Sequence, residues 1–319
     1  MIRFMIRCQA IALLIGCTTA HSVLAWNKAG HMVTGAIAYD LLLAEQPQVV
    51  EKTLELLRAN PTYERLWKRQ LDHLDKADRD RMLFMLAARW ADDIRGNRDY
   101  DQPTWHYIGT GFIAPGQPHS LQLPKVAEPN AVTAILFNAR IARAAPEITD
   151  RAIAVTWLFH LVGDIQQPLH ACSRVTQQLP DGDRGGNLFF IRVTPESEPI
   201  NLHKFWDDLI IGRDDYRSIR NRAIELRLRP EFARNQLTEL ADFSPEAWAR
   251  ESLILGRTVV HRNGELRGGR GELAAVVLPA DYPKQAQALA ERRAVLGGYR
   301  LAQLLATLYL PPPAATTPR

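Results

Sequence analysis

Apolar residues recur at helical spacing along most of this chain. In the segment 26–43, Val33, Ile37 and Leu41 lie four residues apart and form one stripe. The same periodicity predicts helices over 26–43, 49–57, 66–77, 79–90, 130–144, 148–167, 202–209, 216–228, 231–238, 245–255 and 282–308. One short strand or hairpin arm is predicted at 188–193, with loops at 101–116 and 176–186. The pattern therefore predicts an all-α fold with one short β-hairpin.

The helical pattern is continuous, with neither an internal repeat nor a low-complexity linker. A length of 319 residues allows one large domain. We therefore expect a single helical domain over 26–310, followed by a loose tail at 311–319 that is rich in proline and threonine.

The first 25 residues have the pattern of an export signal. Arg3 and Arg7 give a positive start, 11–16 is an apolar centre too short to span a membrane, and small residues precede a cleavage site after Ala25. A competing interpretation is a lipoprotein signal, which would leave a lipid on Cys17. We expect an exported protein, periplasmic or secreted, with cleavage after Ala25 and no transmembrane segment.

Charge and cysteine content limit how the chain can bind a polyanion and how it can be stabilised. The formal net charge is +4, and removal of the two arginines in the signal leaves +2, too little to bind a polyanion by overall charge. Of three cysteines only Cys172 lies outside the signal, so the processed chain has no internal disulfide. Its stability must come from a core or from metal. Cys172 is interpreted as a small buried residue, with a metal ligand as the alternative.

The segment 157–170 places polar side chains on an otherwise apolar helix. His160 and Asp164 are four residues apart, so both leave one helix face about 6 Å apart along the axis. Pro168 ends the helix, and His170 follows on the exit turn. Two imidazoles and a carboxylate at one place suit a divalent metal, zinc in particular. The alternative is a buried His–Asp hydrogen bond with an unrelated surface histidine.

Two other segments offer ligands of the same types. His31 follows Trp26 by five residues, and if Trp26 is the N-terminus, its amine and carbonyl can chelate a metal that His31 also reaches. Asp92 and His106 are joined by a loop-like segment that can bring them together, and Asp93 is an alternative to Asp92. Each feature alone also fits an ordinary surface residue at a helix end.

A second His–Asp pair at helical spacing is formed by His203 and Asp207, with Asp208 as the alternative carboxylate. Together with the segments above, this makes nine candidate ligand residues, more than one tetrahedral zinc can use. We therefore expect two or three metal ions that share a carboxylate, and Asp164 is the natural bridge.

Seven strings of residues then carry a resemblance: WNKAGH from Trp26, WADDIR from Trp90, WHYI from Trp105, HLVGDIQQPLH from His160, DRGGN from Asp183, NLHKFWD from Asn201 and the C-terminal AVLGGYRLAQLL. With these strings and their spacing, the chain resembles the zinc-dependent single-strand-specific nucleases of the nuclease S-one / P-one family, in a bacterial form. The resemblance covers nearly the whole chain after the signal. It implies the helical fold of the phospholipase C / nuclease P-one type and three zinc ions.

Carried over by position, the resemblance implies three ligand sets. Asp92, His106, His160 and Asp164 would hold one zinc; Trp26, His31 and Asp164 a second; His170, His203 and Asp207 a third. It also implies that Arg95 contacts the scissile phosphate, that Tyr107 stacks on a base and that Asn187 lies near the cluster. At position 109 the family usually has an aspartate that hydrogen-bonds a base, whereas this chain has Gly109.

The implied activity is endonucleolytic hydrolysis of single-stranded DNA and RNA to 5′-phosphate products, with 3′-nucleotidase activity. A zinc-activated water would be the nucleophile, and Asp164 and Arg95 would be the catalytic residues. We expect a monomer whose partners are its nucleic-acid and 3′-nucleotide substrates, and no stable protein partner. The alternatives are a bacterial zinc phospholipase C and an exported zinc-binding protein without catalysis.

Overall fold

The computed structural model describes residues 26–210 and 212–309. The expected signal, its two cleavage alternatives and the expected tail at 311–319 lie outside the described residues.

The described residues form a mostly helical molecule, which confirms the predicted fold class. Its α-helices are α1 (Lys28–Glu45), α2 (Pro47–Arg58), α3 (Lys68–Leu71), α4 (Lys76–Asp93), α5 (Ala131–Ala144), α6 (Ile148–Asp164), α7 (Pro168–Ala171), α8 (Leu202–Asp207), α9 (Tyr216–Leu228), α10 (Pro245–Leu255) and α11 (Tyr282–Tyr309). None of these helices combines the length and apolarity that a membrane span requires.

Five short strands accompany the helices: β1 (Thr110–Ile113), β2 (Cys172–Val175), β3 (Phe190–Arg192), β4 (Ile200–Asn201) and β5 (Val276–Val277). Strands β1 and β2 pair in parallel. The other three form a sheet in the order β4-β3-β5, antiparallel on one side of β3 and parallel on the other. The predicted strand at 188–193 is thus the centre of a sheet rather than one arm of a lone hairpin.

Two helix predictions need correction. A break was expected near residue 78, but Asp75 accepts a hydrogen bond from Asp78 N and starts one continuous helix, α4. The segment before it is a π turn, Tyr63–Trp67, followed by α3. The helix expected over 231–238 is instead a series of 3-10 turns, because Arg229 is extended ahead of Pro230.

Helices α1, α4, α6 and α11 pack around a common apolar core. A side chain at Gly163 on α6 would meet Nδ1 of His31 on α1 at 2.8 Å, so glycine is required at this crossing. Glycine therefore lets α1 bring a histidine directly onto the end of α6.

The end of α6 is fixed from outside by two buried arginines of α11. Arg293 Nε donates to Gln166 O (3.1 Å), and Arg300 Nη1 donates to Gln166 Oε1 (2.8 Å). Both guanidinium groups also bind Glu251 on α10. Helix α6 ends at Asp164, three residues earlier than expected, and Pro168 begins α7. These arginines hold the turn that carries the candidate ligands.

Candidate metal centre

His160 and Asp164 lie at the buried end of α6, one turn apart as predicted. His160 Nε2 is 3.1 Å from Asp164 Oδ2, and neither side chain is exposed to solvent. His160 Nδ1 donates to the carbonyl of Ala88 (2.8 Å), since a carbonyl can only accept. In a neutral imidazole Nε2 then carries a lone pair that faces a carboxylate. Such a pair is stable only with a proton or a cation between its atoms.

Three elements far apart in sequence meet at Asp164. His31 from α1 brings Nε2 to 3.2 Å from Asp164 Oδ1, and its ring stacks on His160 at 3.9 Å. His106, at the end of the 3-10 turn Pro103–His106, brings Nδ1 to 2.9 Å from Asp164 Oδ2. Asp164 therefore has an imidazole at each of its oxygens, as a bridging ligand requires.

Two sets of candidate ligand atoms lie around this carboxylate, each within 4.8 Å of one another. One set is His31, His160 and Asp164, and the other is Asp92, His106 and His160. Asp92, in the last turn of α4, has its oxygens 3.9 Å from His160 Nε2 and 4.0 Å from His31 Nε2. The structure thus brings together five of the residues assigned from the sequence to two ions. The residue common to the two sets is His160, whereas the sequence assignment shared Asp164.

A third set, also within 4.8 Å, is formed by His170, His203 and Asp207. His203 Nε2 lies 3.4 Å from Asp207 Oδ2, while His203 Nδ1 donates to Gly185 O (2.7 Å). His170 Nδ1 donates to His106 O (2.5 Å). In both histidines the backbone carbonyl fixes the tautomer, so that Nε2 faces the other members of the set.

Burial and charge set the protonation of these groups. Burial raises the pKa of Asp164, but the charge of His160 and hydrogen bonds from His106 and His160 outweigh it and hold that pKa well below its usual range. Burial raises the pKa of Asp207 well above its usual range, against a hydrogen bond from Gln167. Burial lowers the pKa of His170 to about 3. Imidazole nitrogens that face buried carboxyl groups are the combination that a divalent cation stabilises.

Several buried atoms in these sets have no hydrogen-bond partner among the described residues. They are both ring nitrogens of His31, Nε2 of His106 and of His170, Oδ2 of Asp92 and Oδ1 of Asp164. Leaving a buried polar atom unpaired costs about 1–3 kcal/mol. The donor set of imidazole nitrogens and carboxylate oxygens fits zinc and similar divalent ions, so the residues present fit a metal cluster.

Trp26 is fully buried beside this cluster. Its Nε1 donates to Gly163 O (3.0 Å), directly before Asp164. The next residue, Asn27, donates through its backbone N to Asp207 O (3.0 Å) and caps α1 with its side chain. The start of the described chain therefore lies against both α6 and α8, next to the candidate ligands Asp164 and Asp207.

The alternative carboxylates are placed elsewhere. Asp93 pairs with Arg89 (2.7 Å) and Lys28 (3.3 Å) and is in none of the three sets. Asp208 pairs with Lys204 at the surface. Cys172 is buried, and burial raises the pKa of its thiol. It is likewise absent from the sets found among residues 26–210 and 212–309.

A cleft of about 390 Å³ opens beside the third set. Tyr107, with 43% of its surface exposed, and Gly109 line this cleft, as do Arg184 and Asn187 of one loop. Gly109 has a φ of +70°, a backbone conformation that disfavours most side chains, although there is open space for a Cβ. Glycine is therefore the residue that suits this backbone.

The residues predicted to contact substrate differ in whether their side chains are already hydrogen-bonded within the protein. Arg95 lies against Asp92, with Nε donating to Oδ1 (2.8 Å) and Nη2 2.7 Å from the same oxygen. The side chain amide of Asn187 donates to Arg184 O (2.8 Å), which holds the loop in shape. Tyr107 keeps an open ring face. Arg95 thus binds a candidate ligand, Asp92.

Sequence reasoning missed two residues of the site. Gln167 donates through Nε2 to Asp207 Oδ1 (2.8 Å), and its Oε1 accepts from Leu169 N. Arg184 is exposed in the cleft at a φ of +54°, and no carboxylate lies within 4.0 Å of it in the part of the chain that is described. A cation among glycines in the DRGGN string was the available signal for Arg184. Nothing in the local sequence points to Gln167.

Comparison with known proteins places the chain among nucleases. The family model described as S1/P1 Nuclease matches residues 26–309. Endonuclease 3 of Arabidopsis thaliana is 26% identical over 321 residues, which cover 95% of this chain and 96% of that protein. Endonuclease 1 of the same plant is 25% identical, covering 92% and 90% of the two chains, and Endonuclease 4 is 24% identical, covering 91% of each.

Proposed function

The chain belongs to the S1/P1 nuclease family, and from that membership we propose that it is a zinc-dependent endonuclease for single-stranded DNA and RNA. As a member it is a hydrolase of phosphodiester bonds, and the family is metal-dependent. The finer proposal is that it holds three zinc ions, leaves 5′-phosphate ends and also hydrolyses 3′-nucleotides.

The observation that carries the proposal is the arrangement around Asp164. One buried carboxylate faces His31, His106 and His160 at 2.9–3.2 Å. These imidazoles come from α1, from the turn before β1 and from α6. An apolar core is not stabilised by four polar side chains that converge from three elements. Two metal ions that share a carboxylate require such a convergence of ligands.

When bound, zinc would supply positive charge at the phosphate and lower the pKa of a coordinated water to about 7. The residues of the chain prepare that site. Backbone carbonyls hold three of the histidines as one tautomer, with Nδ1 as the donor and Nε2 free to bind a metal. The pairs are His160 with Ala88, His170 with His106 and His203 with Gly185. Asp164 has His106 and His160 at one oxygen and His31 at the other, and the charge of His160 with hydrogen bonds from the imidazoles holds its pKa well below the usual range, so it stays charged inside the molecule. The ligands are thus preorganised before substrate binds.

Hydrolysis adds a water oxygen to phosphorus and breaks the bond from phosphorus to the 3′-oxygen, which takes up a proton. The phosphate remains on the 5′ side, and a 3′-phosphomonoester loses inorganic phosphate by the same bond cleavage. Arg95, 22% exposed and fixed by Asp92, would offset the negative charge that builds on the phosphate oxygens.

Selectivity for single strands follows from the open ring of Tyr107 beside the third ligand set. A base stacked on an aromatic ring contributes about 1–3 kcal/mol, whichever base it is. In a duplex that base must first be unpaired, which costs roughly a few kcal/mol. With Gly109 in place of a carboxylate at this position, base preference at the cleft is expected to be weak.

We also propose export, with Trp26 as the mature N-terminus and a monomeric enzyme. Support comes from the burial of Trp26 against α6, where its indole N–H donates to the carbonyl of Gly163, the residue before Asp164. N-terminal sequencing of the exported protein separates a start at Trp26 from a lipidated Cys17.

The proposed function is tested by metal analysis together with activity on four substrates. The purified mature protein should contain three zinc ions per chain and should degrade RNA and single-stranded DNA. It should release phosphate from 3′-AMP and lose these activities in EDTA, with recovery on added zinc. Preferred hydrolysis of phosphatidylcholine would favour the phospholipase alternative. Bound zinc with no turnover of any substrate would favour a zinc-binding protein.

A further inference from the structure

The side chain of Gln167 lies between two candidate ligands of the third set. It is fully buried on the turn that joins α6 to α7. Its Nε2 donates to Asp207 Oδ1 (2.8 Å), and its Oε1 accepts from Leu169 N (2.6 Å). Leu169 directly precedes His170, which belongs to the same ligand set as Asp207. One amide group therefore contacts the side chain of one candidate ligand and the backbone beside another.

The contact with Asp207 fixes how its carboxylate is turned. The bond that carries a carboxylate group has only a shallow rotational preference, so an aspartate by itself does not select one oxygen for its surroundings. Gln167 binds Oδ1, and the other oxygen, Oδ2, then lies 3.4 Å from His203 Nε2. Asp207 is 4% exposed, so the protein has to supply such a donor in place of bulk water. Gln167 thus directs Oδ2 toward the rest of the third set.

The second contact fixes the start of α7, the helix that carries His170. Gln167 is the N-cap of α7, and its side chain accepts the backbone N–H of Leu169, which has no acceptor inside so short a helix. His170 N donates to Gln167 O (3.0 Å), and Gln167 N donates to Asp164 O (3.0 Å). The position of His170 relative to the end of α6 therefore depends on Gln167.

The two contacts account for the amide at position 167. Among side chains of similar length, an ionised glutamate only accepts hydrogen bonds, whereas lysine and arginine only donate them. An amide does both, and asparagine is shorter by one methylene group. The preceding Gln166 has a different role, because its Oε1 accepts from Arg300 of α11. Two successive glutamines thus hold two different parts of the same turn.

We propose that Gln167 is a positioning residue for the third metal ion. It holds Asp207 and the helix that carries His170 in one arrangement, so that these ligands are in place before the ion binds. The inference rests on the proposed function for the presence of that ion. Loss of a residue that orients a metal ligand lowers metal affinity about 10–100-fold, and here the loss should be confined to one of three ions.

The experiment measures zinc release from the zinc-loaded protein to a coloured chelator. The parent should release three ions per chain. Gln167→Met keeps the length of the side chain but removes the donor for Asp207, and it should bind one ion about 10–100-fold more weakly. Asn138→Leu is the matched control, because Asn138 is an equally buried amide that donates within its own helix, to Ala134 O. This control should release zinc as the parent does.

Two further variants separate the two contacts. Gln167→Glu keeps the acceptor for Leu169 N but faces Asp207 with a second carboxylate, so it should bind the third ion no better than Gln167→Met. Gln167→Asn keeps both groups on a shorter side chain and should recover part of the affinity. It also tests the proposal if Gln167→Met does not fold. Zinc binding by Gln167→Glu equal to that of the parent would show that only the cap matters and would overturn the proposal.

A second substitution assigns the effect to one ion. His203→Ala removes a ligand of the third set, and Gln167→Met should weaken zinc binding no further in that background, since both changes act at one site. A general loss of stability would instead weaken the two remaining ions as well, and that result would also overturn the proposal.

The outcomes for this inference and for the proposed function are distinct. Equal zinc release by the parent and by Gln167→Met, with three ions in each, would refute the inference and leave the proposed function standing. A parent that holds three ions and cleaves no nucleic acid, with the expected loss in Gln167→Met, would refute the proposed function and leave the inference standing. A parent that binds no ion at the third set would overturn both.

Discussion

At the scale of single residues, zinc binding and activity depend most on the side chain of Asp164. Asp164→Asn keeps the shape but removes the charge that His31, His106 and His160 face. We expect it to lose at least one zinc per chain and nearly all nuclease activity. Asp93→Asn is the control, because Asp93 follows the candidate ligand Asp92 but pairs with Arg89. This variant should keep its zinc content and its nuclease activity. A fully metallated Asp164→Asn protein would contradict the sharing of this carboxylate by two ions.

Arg95 has two roles to separate, because it binds the candidate ligand Asp92 and is proposed to contact the scissile phosphate. Arg95→Ala should lower kcat on single-stranded DNA by about 10²–10³-fold, the usual cost of losing one group that stabilises a transition state. Zinc content, measured by atomic emission, should stay at the parent level. Loss of zinc in this variant would show that the pairing of Arg95 with Asp92 is structural.

His261 is a buried histidine outside the metal centre, 3.5 Å from Asp183 and packed between Phe112 and Phe189. Burial lowers its pKa to about 4. The unfolded chain therefore binds a proton below pH 6.5 that the folded chain does not, and stability falls as the pH drops from 6.5 toward 4. Between pH 7 and pH 5 this costs about 2 kcal/mol.

His261→Gln should remove that part of the acid sensitivity. The free energy of unfolding in urea is compared at pH 7 and pH 5 for the parent, for His261→Gln and for His73→Gln, which alters an exposed histidine. A pH dependence of His261→Gln equal to that of the parent would show that His261 is not the group responsible.

At the scale of elements, the end of α6 is held by the guanidinium groups of α11. Arg300 is fully buried and binds Gln166 and Glu251. Arg300→Met leaves Glu251 without one of its partners, and breaking a buried ion pair in this way costs about 3–5 kcal/mol. Arg292 lies on the same helix as Arg300 and forms a more exposed ion pair with Glu239. Arg292→Met should therefore cost about 0–1 kcal/mol of stability. Thermal unfolding of both variants measures the difference, and equal losses would contradict this account.

The sequence was a good guide to long helices and a poor one to short elements. Helices α9 and α10 have the predicted bounds, because the capping residues Asp215 and Ser244 mark their starts. Strands β2 and β5 have four and two residues and pair with distant segments. So short a strand has no periodicity to detect, and its partner is chosen by the tertiary fold.

The candidate ligands were predictable for a related reason. His160 with Asp164, and His203 with Asp207, stand at helical spacing, so local geometry already places each pair on one face. Gln167 reaches Asp207 across forty residues, a contact that exists only after folding.

At the scale of the whole molecule, a net charge of +4 leaves substrate attraction to local groups. Arg184 is the exposed cation of the cleft, and we expect it to contact a phosphate of the strand. Arg184→Ala should reduce the slope of log affinity against log salt for single-stranded DNA by about 0.7, the value for one lost phosphate contact. Arg65→Ala, an exposed change outside the cleft, should leave the slope unchanged. Unaltered salt dependence in Arg184→Ala would exclude the contact.

The position of His31 against Asp164 has a consequence for the unfolded chain. An ion bound by both residues would close a loop of 133 residues, the difference between 164 and 31. In the chain-entropy description of a cross-link, such a loop removes about 5 kcal/mol of disorder from the unfolded state. Cys172 is the sole cysteine among the described residues, so the ion would act here as a disulfide acts in a disulfide-bonded protein. A chelator would then reverse that cross-link as a reducing agent reverses a disulfide.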